Sequence, residues 1–413
     1  MVTPDSPTIT VDIADDLVTL PVDGFFQRLA KALPPLIRFT LGPTLREHPK
    51  WGRRLPFSVP GYGAFASPGH VCRPDVLLTS QGPRICELDF VPSGRGWVLA
   101  GLVSDADRIA FLREFAHWYE SMGSTRVYYA TGTVTECREE VDLFSGALRD
   151  MLGFDITSIN IDVDTPAPHG LVDRLFYRSE LEHPLRTGGH RVVTAEPWLD
   201  SKMIFAVLHD ASLTAVLEES IGAENLAFLR KACIESYLFD DVRSALESGA
   251  LVPGDRSAWV LKATDVEERQ CWGSRGVVLG RQRSDREWSA LLRGEGPDRE
   301  ALGRWPILQR FERSSDFSAL WNAGVEGKVP VAAPERLGKR PSPVTRRPAS
   351  GRVNGRLGTY FLVSHESDRI FVPPLGPLCL RQHPLTHGTA DSVTMSFRAR
   401  GECARVLRAG LRS

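Results

Sequence analysis

The sequence lacks three things: an excess of charge of either sign, paired cysteine motifs and long apolar runs. Its 50 Lys and Arg residues nearly balance its 51 Asp and Glu residues, so the formal net charge of the 413-residue chain is −1. This balance excludes an acidic disordered tail protein and a generally basic nucleic-acid coat. No stretch approaches the ~18 apolar residues of a transmembrane helix, so we expect no membrane span. The N-terminus also lacks the basic and apolar regions of a secretory signal.

Cysteine usage excludes two further kinds of scaffold. The chain has seven cysteines, an odd number, and no CxxC pair. A disulfide framework and a structural zinc site therefore do not fit the sequence, and free thiols favour a reducing cytoplasm. The Walker A pattern GxxxxGK[ST], the GxSxG elbow and the HExxH zinc motif are missing as well.

Length and pattern indicate several mixed helix–strand units. At ~150 residues per domain, the length predicts two or three domains or one large enzyme. Alternation of strands with helices near 127–153 is typical of an α/β arrangement. The patterns predict a helix at 25–33 that stops at Pro34-Pro35, a hairpin at 76–90 with its turn at 81–83, helices at 104–123, 136–152, 201–220 and 284–293, and strands at 258–261, 277–280, 305–312, 356–363 and 369–373.

Acidic residues alternate on the predicted hairpin. Glu87 and Asp89 are two positions apart and therefore share one face of a strand, while Asp75 comes from the neighbouring strand. Three converging carboxylates suit Mg²⁺, which prefers oxygen ligands, and the nearby Arg73 could neutralise a phosphate. The alternative is that these acids form the solvated face of an ordinary strand.

A lysine and a glycine-rich loop form a second candidate site. Lys262 ends the strand at 259–262, and Gly273, Ser274 and Gly276 lie in the loop that follows it. Glycines let backbone N–H groups approach phosphates closely, and a strand lysine supplies a fixed point charge. A hairpin with a glycine turn and an exposed lysine is the alternative interpretation.

Two later strands carry polar residues at their ends. In the strand at 307–312, backbone amides could lie along an adenine edge, and Glu312 could accept hydrogen bonds from ribose hydroxyls. A plain edge strand is the alternative. Arg356 could bind phosphate or a substrate carboxylate, and His387 is either a structural loop histidine or a substrate contact.

The order and spacing of these motifs resemble the circularly permuted ATP-grasp enzymes, in particular the glutathionylspermidine synthase-like ligases. The resemblance covers residues 70–95 and 200–395. Its motifs are R-x-D at 73–75, E-x-D at 87–89, S-K at 201–202, V-L-K at 260–262, Q-R-F at 309–311, R-x-x-x-Y at 356–360 and HG-x-x-D at 387–391. The chain departs from the family pattern at Asp89, where the family has Asn, at Ala263, where it has Pro, and in the charged segment 264–270.

The resemblance implies an α+β fold of α/β type, with a circularly permuted ATP-grasp architecture and ATP between two α+β subdomains. It implies an N-terminal extension over 1–70, an α/β part with the metal hairpin over 71–195, a nucleotide-binding part over 196–320, a mobile basic loop over 321–355 and terminal strands over 356–413. The implied site comprises Asp75, Glu87 and Asp89 for Mg²⁺, Arg73, Lys262, Gly273, Ser274 and Gly276 for ATP phosphates, Gln309, Phe311 and Glu312 for the nucleoside, and Arg95 and Arg356 for the substrate anion or phosphate.

The implied activity is ATP-dependent carboxylate–amine ligation. A carboxylate would attack the γ-phosphate to give an acyl phosphate and ADP, and an amine would then displace phosphate to form an amide. We expect small-molecule or peptide substrates, free or on a carrier protein, in specialised-metabolite or peptide biosynthesis, and neither a nucleic-acid nor a membrane partner. A degenerate ATP-grasp scaffold or regulator, and an unrelated α/β enzyme, remain alternatives. The oligomeric state is open.

Overall fold

The structure is a computed structural model. The residues that it describes are 19–21, 24–55, 67–100, 102, 104–132, 135–161, 164, 169–175, 189–194, 196–248, 255–264, 276–295, 302–303, 305–314, 354–381, 393–400 and 403–406. Within these ranges, no helix combines the length and apolarity needed to cross a membrane. The predicted loop at 321–355 and the residues Gly273, Ser274 and His387 lie outside the described residues, apart from 354–355.

The described chain is a mixture of helices and strands, as expected for the α+β class. The strands are β1 Thr19–Pro21, β2 Gly69–Thr79, β3 Gly82–Asp89, β4 Val127–Thr131, β5 Ile156–Asn160, β6 Leu171–Arg174, β7 Arg191–Val192, β8 Ser236–Leu238, β9 Trp259–Lys262, β10 Val277–Leu279, β11 Ile307–Arg310, β12 Asn354–Gly358, β13 Phe361–Ser364, β14 Arg369–Phe371, β15 Leu375–Arg381, β16 Val393–Arg400 and β17 Cys403–Val406. The α-helices are α1 Phe25–Leu41, α2 Pro43–Glu47, α3 Arg95–Ala100, α4 Asp105–Ser121, α5 Thr135–Leu152, α6 Met203–His209, α7 Thr214–Ile221, α8 Ala223–Ala232, α9 Phe239–Glu247 and α10 Asp285–Leu292.

A nine-stranded sheet joins distant parts of the sequence around β2. Its order is β1-β17-β16-β15-β12-β2-β13-β14, and β3 pairs with the other edge of β2. Strands β12 and β13 pair one after the other with the same edge of β2, and both run antiparallel to it. Gly358 of β12 lies opposite Asp75, and Phe361 of β13 lies opposite Cys72. This pairing places the hairpin of β2 and β3 beside residues about 280 positions later in the chain.

Two four-stranded sheets accompany the large one. The sheet β5-β4-β6-β7 is parallel throughout, as the strand–helix alternation near 127–153 predicts. The sheet β10-β9-β11-β8 is antiparallel and carries Lys262 and Gln309. It adjoins the hairpin because Ile234 donates its backbone N–H to the carbonyl of Ile85. Lys262 at the end of β9 also reaches β3, where its Nζ donates to the carbonyl of Cys86.

Four apolar clusters hold the layers together, and the smallest lies on the parallel sheet around Tyr128 and Val172. The largest packs α1, α6, α7 and α8 against residues of β2, β3 and β12. A second fills the space between the parallel sheet, α4, α5 and the strands β13 and β14. A third packs α9 and α10 onto the antiparallel sheet, with Trp288 of α10 buried in it.

The predicted stop of the first helix at Pro34-Pro35 is wrong. Helix α1 continues through both prolines to Leu41. Proline removes a backbone donor from the helix interior and costs roughly 3 kcal/mol. The apolar face continues beyond the prolines with Leu36, Ile37 and Phe39, all buried in the largest cluster. At ~1.5–3 kcal/mol per fully buried side chain, this burial offsets the cost.

The predicted single helix at 201–220 is also wrong, whereas other elements are confirmed. Asp210 breaks the segment into α6 and α7, because its side chain accepts a hydrogen bond from the backbone of Ser212. The helices at 104–123 and 136–152 form, and so does the capping box between Ser284 and Glu287. The hairpin forms too, but its turn lies earlier than predicted, because Gly82 already pairs with Thr79.

A group of hydrogen-bonded histidines, which we name the histidine relay, begins with His70 at the start of β2. His70 is fully buried, its Nε2 lies 2.9 Å from a carboxylate oxygen of Glu196, and its Nδ1 lies 2.6 Å from Nε2 of His365. Ser67 donates its hydroxyl hydrogen to the same carboxylate. Because an ionised carboxylate only accepts hydrogen bonds, one proton remains between the two histidine rings.

The relay predicts a loss of stability in mild acid. Burial, and then the neighbouring His70, lower the pKa of His365 from 6.5 to about 4. The unfolded chain therefore binds this proton first, so the relay's contribution is complete above pH 6.5 and is lost as the pH falls towards 4. We expect the melting temperature to fall across this window, and less steeply in His365→Gln. His117→Gln, which changes an exposed residue of α4, is the control; an equal pH slope in all three proteins would contradict the prediction.

Candidate active site

The two strands of the hairpin bring charged residues face to face. In the antiparallel register, Arg73 lies opposite Asp89 and Asp75 lies opposite Glu87, just before a bulge in the pairing at Asp75 and Val76. Side chains from three other elements join them. We name the resulting group the hairpin cluster, which consists of Arg73, Asp75, Glu87, Asp89, Lys202, Lys262 and Arg356.

Arg73 occupies the centre of the hairpin cluster. Its Nη2 donates to Oδ2 of Asp89 at 2.8 Å, its Nη1 donates to the carbonyl of Ser93, and its Nε lies 3.6 Å from Oδ1 of Asp75. The side chain is 9% exposed. A glycine on β12 makes room for it, since a Cβ at Gly358 would lie 2.8 Å from the Cδ of Arg73. Tyr360 donates to the same Ser93 carbonyl at 3.1 Å.

Asp75 links two arginines. Its Oδ2 accepts a hydrogen bond from Nη1 of Arg356, and its other oxygen faces Arg73. Burial raises the pKa of Asp75, although both guanidinium groups act in the opposite direction. Each arginine retains a pKa above its ordinary value: burial lowers it, but the neighbouring carboxylates outweigh burial.

Two lysines complete the positive side of the cluster. Lys202 lies at the start of α6, and its Nζ contacts Oε1 of Glu87 at 2.8 Å. Lys262 donates to the carbonyl of Cys86 at 3.1 Å, and burial lowers the pKa of this lysine. Burial alone would raise the pKa of Glu87, but Lys202 and Lys262 together lower it to about 2. Glu87 is therefore ionised at neutral pH.

Asp89 differs from Glu87 because its charge is less completely compensated. Burial, together with the charges of Asp75 and Glu87, raises the pKa of Asp89 to about 6, although Arg73 acts in the opposite direction. Asp200 lies nearby and accepts a hydrogen bond from the backbone of Phe90 at 2.6 Å. Burial and then Asp89 raise the pKa of Asp200 as well. The cluster thus concentrates carboxylates that repel one another.

The predicted Mg²⁺ ligands meet the chemical requirement for this ion. Asp75, Glu87 and Asp89 are hard oxygen donors from facing strands. Burial is the main cause of the raised pKa of Asp89, and a bound cation would relieve the repulsion from Asp75 and Glu87 that adds to it. In the described part of the chain, however, no three His, Cys, Asp or Glu side chains are arranged to hold a metal ion. Arginine and lysine side chains bind these carboxylates instead. The magnesium site stays a prediction.

The predicted nucleoside residues lie at the adjoining antiparallel sheet. Gln309 is buried on β11 and donates to Ser236 Oγ at 3.0 Å. Glu312 pairs with Arg84 of β3 at 3.0 Å, which joins this sheet to the hairpin. Phe311 stacks under the guanidinium of Arg281, 4.9 Å from the ring centroid.

The loop before β10 is only partly described. Gly276 has φ of +68° and accepts a hydrogen bond from the backbone of Ala263. Its left-handed conformation agrees with a glycine turn after Lys262. Gly273 and Ser274 lie outside the described residues.

Arg95 does not join the hairpin cluster. It is fully buried at the start of α3, and its Nη1 lies 2.5 Å from Oδ2 of Asp173. Its guanidinium also lies over the rings of Tyr129, Phe115 and Phe144, at 4.7, 5.2 and 5.7 Å from the ring centroids. This enclosure contradicts the expectation that Arg95 meets a substrate carboxylate, and it makes the residue part of the core.

Three residues of the site were not predicted as site residues. Lys202 appears in the sequence only as half of a short S-K pair, Asp200 precedes that pair, and Tyr360 ends the R-x-x-x-Y pattern. Short motifs do not show which side chain points at which neighbour. The pairing of β2 with both β3 and β12 supplies this information.

Comparisons with known proteins show distant similarity to solved structures. No protein-family model and no curated protein matches the chain. Among solved structures, it is similar to a glutathione synthetase-like effector from Globodera pallida in its apo form, with a TM-score of 0.49 and 8% identity over 96% of this chain and 91% of that chain. It is also similar to a "Putative gamma-glutamylcysteine synthetase" from Methylobacillus flagellatus KT, with a TM-score of 0.41 and 10% identity over 94% of this chain and 88% of that chain. Similarity this distant does not identify a family.

Proposed function

We propose that the protein is an ATP-dependent carboxylate–amine ligase that forms an amide through an acyl phosphate. The observation that carries the proposal is the hairpin cluster itself. Carboxylates and cations from four sequence-distant segments converge at the junction of the nine-stranded and antiparallel sheets. A site that binds a nucleoside triphosphate together with a metal ion needs cations for the phosphates and carboxylates for the metal, close together in one buried region.

The nucleotide would lie between these two sheets, with its phosphates towards the hairpin. Lys262 supplies a fixed positive charge at the end of β9, and Lys202 supplies another opposite Glu87. Their burial strengthens the attraction for phosphate oxygens because the local dielectric constant is low. Gln309, Phe311 and Glu312 would bound the nucleoside end, where Glu312 can accept from ribose hydroxyls.

The hairpin cluster would act on the reacting groups. Asp75, Glu87 and Asp89 would hold magnesium, which neutralises charge on the β- and γ-phosphates when it is bound. Arg73 and Arg356 would orient the transferred phosphoryl group for attack by the substrate carboxylate. Fixed guanidinium donors act without reorganisation as charge develops, and they hold the reactants in line. The amine would then displace phosphate from the acyl phosphate.

Calorimetric titration with Mg-ATP tests this proposal on the wild type, Glu87→Ala and Lys262→Ala. We expect magnesium-dependent binding by the wild type and at least a tenfold weaker affinity in each variant, because one removes a metal ligand and the other a phosphate contact. Asp142→Asn, a change in an exposed pair with Arg138 on α5, should bind as the wild type does. Absence of binding by the folded wild type would overturn the proposal.

A second candidate function is nucleotide binding without turnover, as in a scaffold or regulator. The observation that favours it is the pairing of every predicted metal ligand with an arginine or lysine. ADP release separates the two candidates. Release that depends on an added carboxylic acid and amine supports the ligase, and tight Mg-ATP binding without any release across such mixtures supports the regulator.

A further inference from the structure

The charged side chains of the hairpin cluster form ion pairs with one another. One oxygen of Asp75 accepts from Arg356, and the other faces Arg73 at 3.6 Å. Arg73 in turn donates to Asp89 at 2.8 Å and to the carbonyl of Ser93. The donors that a phosphate would need are therefore directed at protein oxygens, and the oxygens that a metal ion would need already accept from guanidinium groups.

A phosphate or a divalent cation that binds here alone would leave a buried charge of the protein without its partner. A phosphate that draws Arg73 and Arg356 away leaves the buried carboxylate of Asp75 uncompensated. A divalent cation that takes Asp75 and Asp89 leaves two buried guanidinium groups uncompensated. Breaking a buried pair from one side is strongly unfavourable, because the remaining charge has lost both water and its partner.

We propose that metal ion and nucleotide bind to this protein as a coupled exchange of partners. In this exchange Asp75 and Asp89 would turn from the arginines to the cation, and Arg73 and Arg356 would turn to the phosphates. The inference rests on the proposed function and adds a form of regulation to it. The site has low affinity for nucleotide without metal ion, and low affinity for metal ion without nucleotide. Because coupling between two ligands is reciprocal, each raises the affinity for the other by the same factor.

The decisive variant is Asp75→Asn, which keeps the side-chain shape and removes the charge that holds both arginines. We expect Asp75→Asn to bind a non-hydrolysable ATP analogue in EDTA about tenfold more tightly than the wild type does, since Arg356 no longer has to leave a carboxylate and Arg73 has to leave only Asp89. We also expect added Mg²⁺ to improve its binding by only about twofold, against tenfold or more in the wild type. Magnesium also binds the nucleotide itself, so the metal-free affinities are the values that decide.

Calorimetry measures these affinities, and circular dichroism confirms that each variant is folded. Asp142→Asn is the matched control, since it removes an aspartate charge from an exposed ion pair of α5 and should leave both affinities unchanged. If Asp75→Asn does not fold, Asp89→Asn replaces it; this variant releases Arg73 alone, and the same increase of metal-free affinity is expected, but smaller.

The outcomes separate the inference from the function on which it rests. If the wild type binds the analogue with Mg²⁺ but the folded variants bind metal-free analogue no more tightly than the wild type, the coupled exchange is wrong and the nucleotide site stands. If the wild type binds the analogue equally with Mg²⁺ and with EDTA, the exchange is also wrong. If the wild type does not bind it in either condition, both the exchange and the proposed function are wrong.

Discussion

Replacing Arg95 by methionine is expected to destabilise the protein by roughly 3–5 kcal/mol. Methionine fills most of the space between the aromatic rings, but it removes the partner of Asp173, which is 1% exposed. Asp173 then keeps only the hydrogen bond from Tyr119, at 2.7 Å, and its charge has no compensating cation in the contacts of this core. The loss of packing is small, so the buried charge dominates the effect.

Urea unfolding followed by circular dichroism measures this loss, and a second substitution identifies its cause. If the unpaired charge is responsible, Asp173→Asn combined with Arg95→Met should recover about half or more of the lost stability. Arg138→Met, which breaks an exposed pair on α5, is the control and should stay within about 0.5 kcal/mol of the wild type. An Arg95→Met protein as stable as the wild type would contradict a structural role for Arg95.

Arg95 also shows where the sequence misleads. A loop arginine next to Gly94 and Gly96 has the composition of an anion-binding segment. Its burial depends on Asp173, which lies 78 positions away on β6. A cation that is paired in the core and a cation that awaits a substrate have the same local sequence, so only tertiary contacts distinguish them.

The hairpin, by contrast, was predictable because its information is local. The short apolar run at 76–78 and the glycine at the turn indicate the hairpin, although β2 begins seven residues earlier, at Gly69, and is buried almost throughout. The antiparallel pairing of β2 and β3 places Asp75 opposite Glu87. The two errors in helix boundaries have the opposite origin. At Pro34-Pro35, burial against α7 and α8 overrides a strong local stop signal, whereas at Asp210 a side-chain cap divides an otherwise helical pattern.

What the sequence leaves open is the state of the charges in the site. Spacing places three carboxylates near one another, but it does not reveal that Arg356 comes from the strand on the far edge of β2. It also does not reveal that Lys202 contacts Glu87. These partners convert a predicted metal site into a network of ion pairs, which is why the exchange of partners becomes the central question about the proposed activity.

Replacing Arg73 by alanine is expected to lower kcat by about 10³-fold while KM for ATP changes less than tenfold. Within the proposed reaction, negative charge shifts over the transferred phosphoryl oxygens, so a guanidinium at this position stabilises the transition state more than the bound nucleotide. Gly358 leaves space for the Arg73 side chain, and the carbonyl of Ser93 accepts a hydrogen bond from its Nη1. Together they orient its donors. Arg73→Lys keeps the charge but loses the forked donor geometry, so it should recover only about tenfold of the loss.

ADP release in mixtures of carboxylic acids with hydroxylamine measures the effect, since hydroxylamine traps an acyl phosphate as a hydroxamate. Arg138→Ala removes an exposed arginine of α5 and should retain the wild-type rate. Thermal unfolding of Arg73→Ala must be followed in parallel, because Asp89 loses the guanidinium that Arg73 supplies. A folded Arg73→Ala protein that keeps more than about a tenth of the wild-type kcat would remove Arg73 from the chemistry and leave it only a structural role in the hairpin.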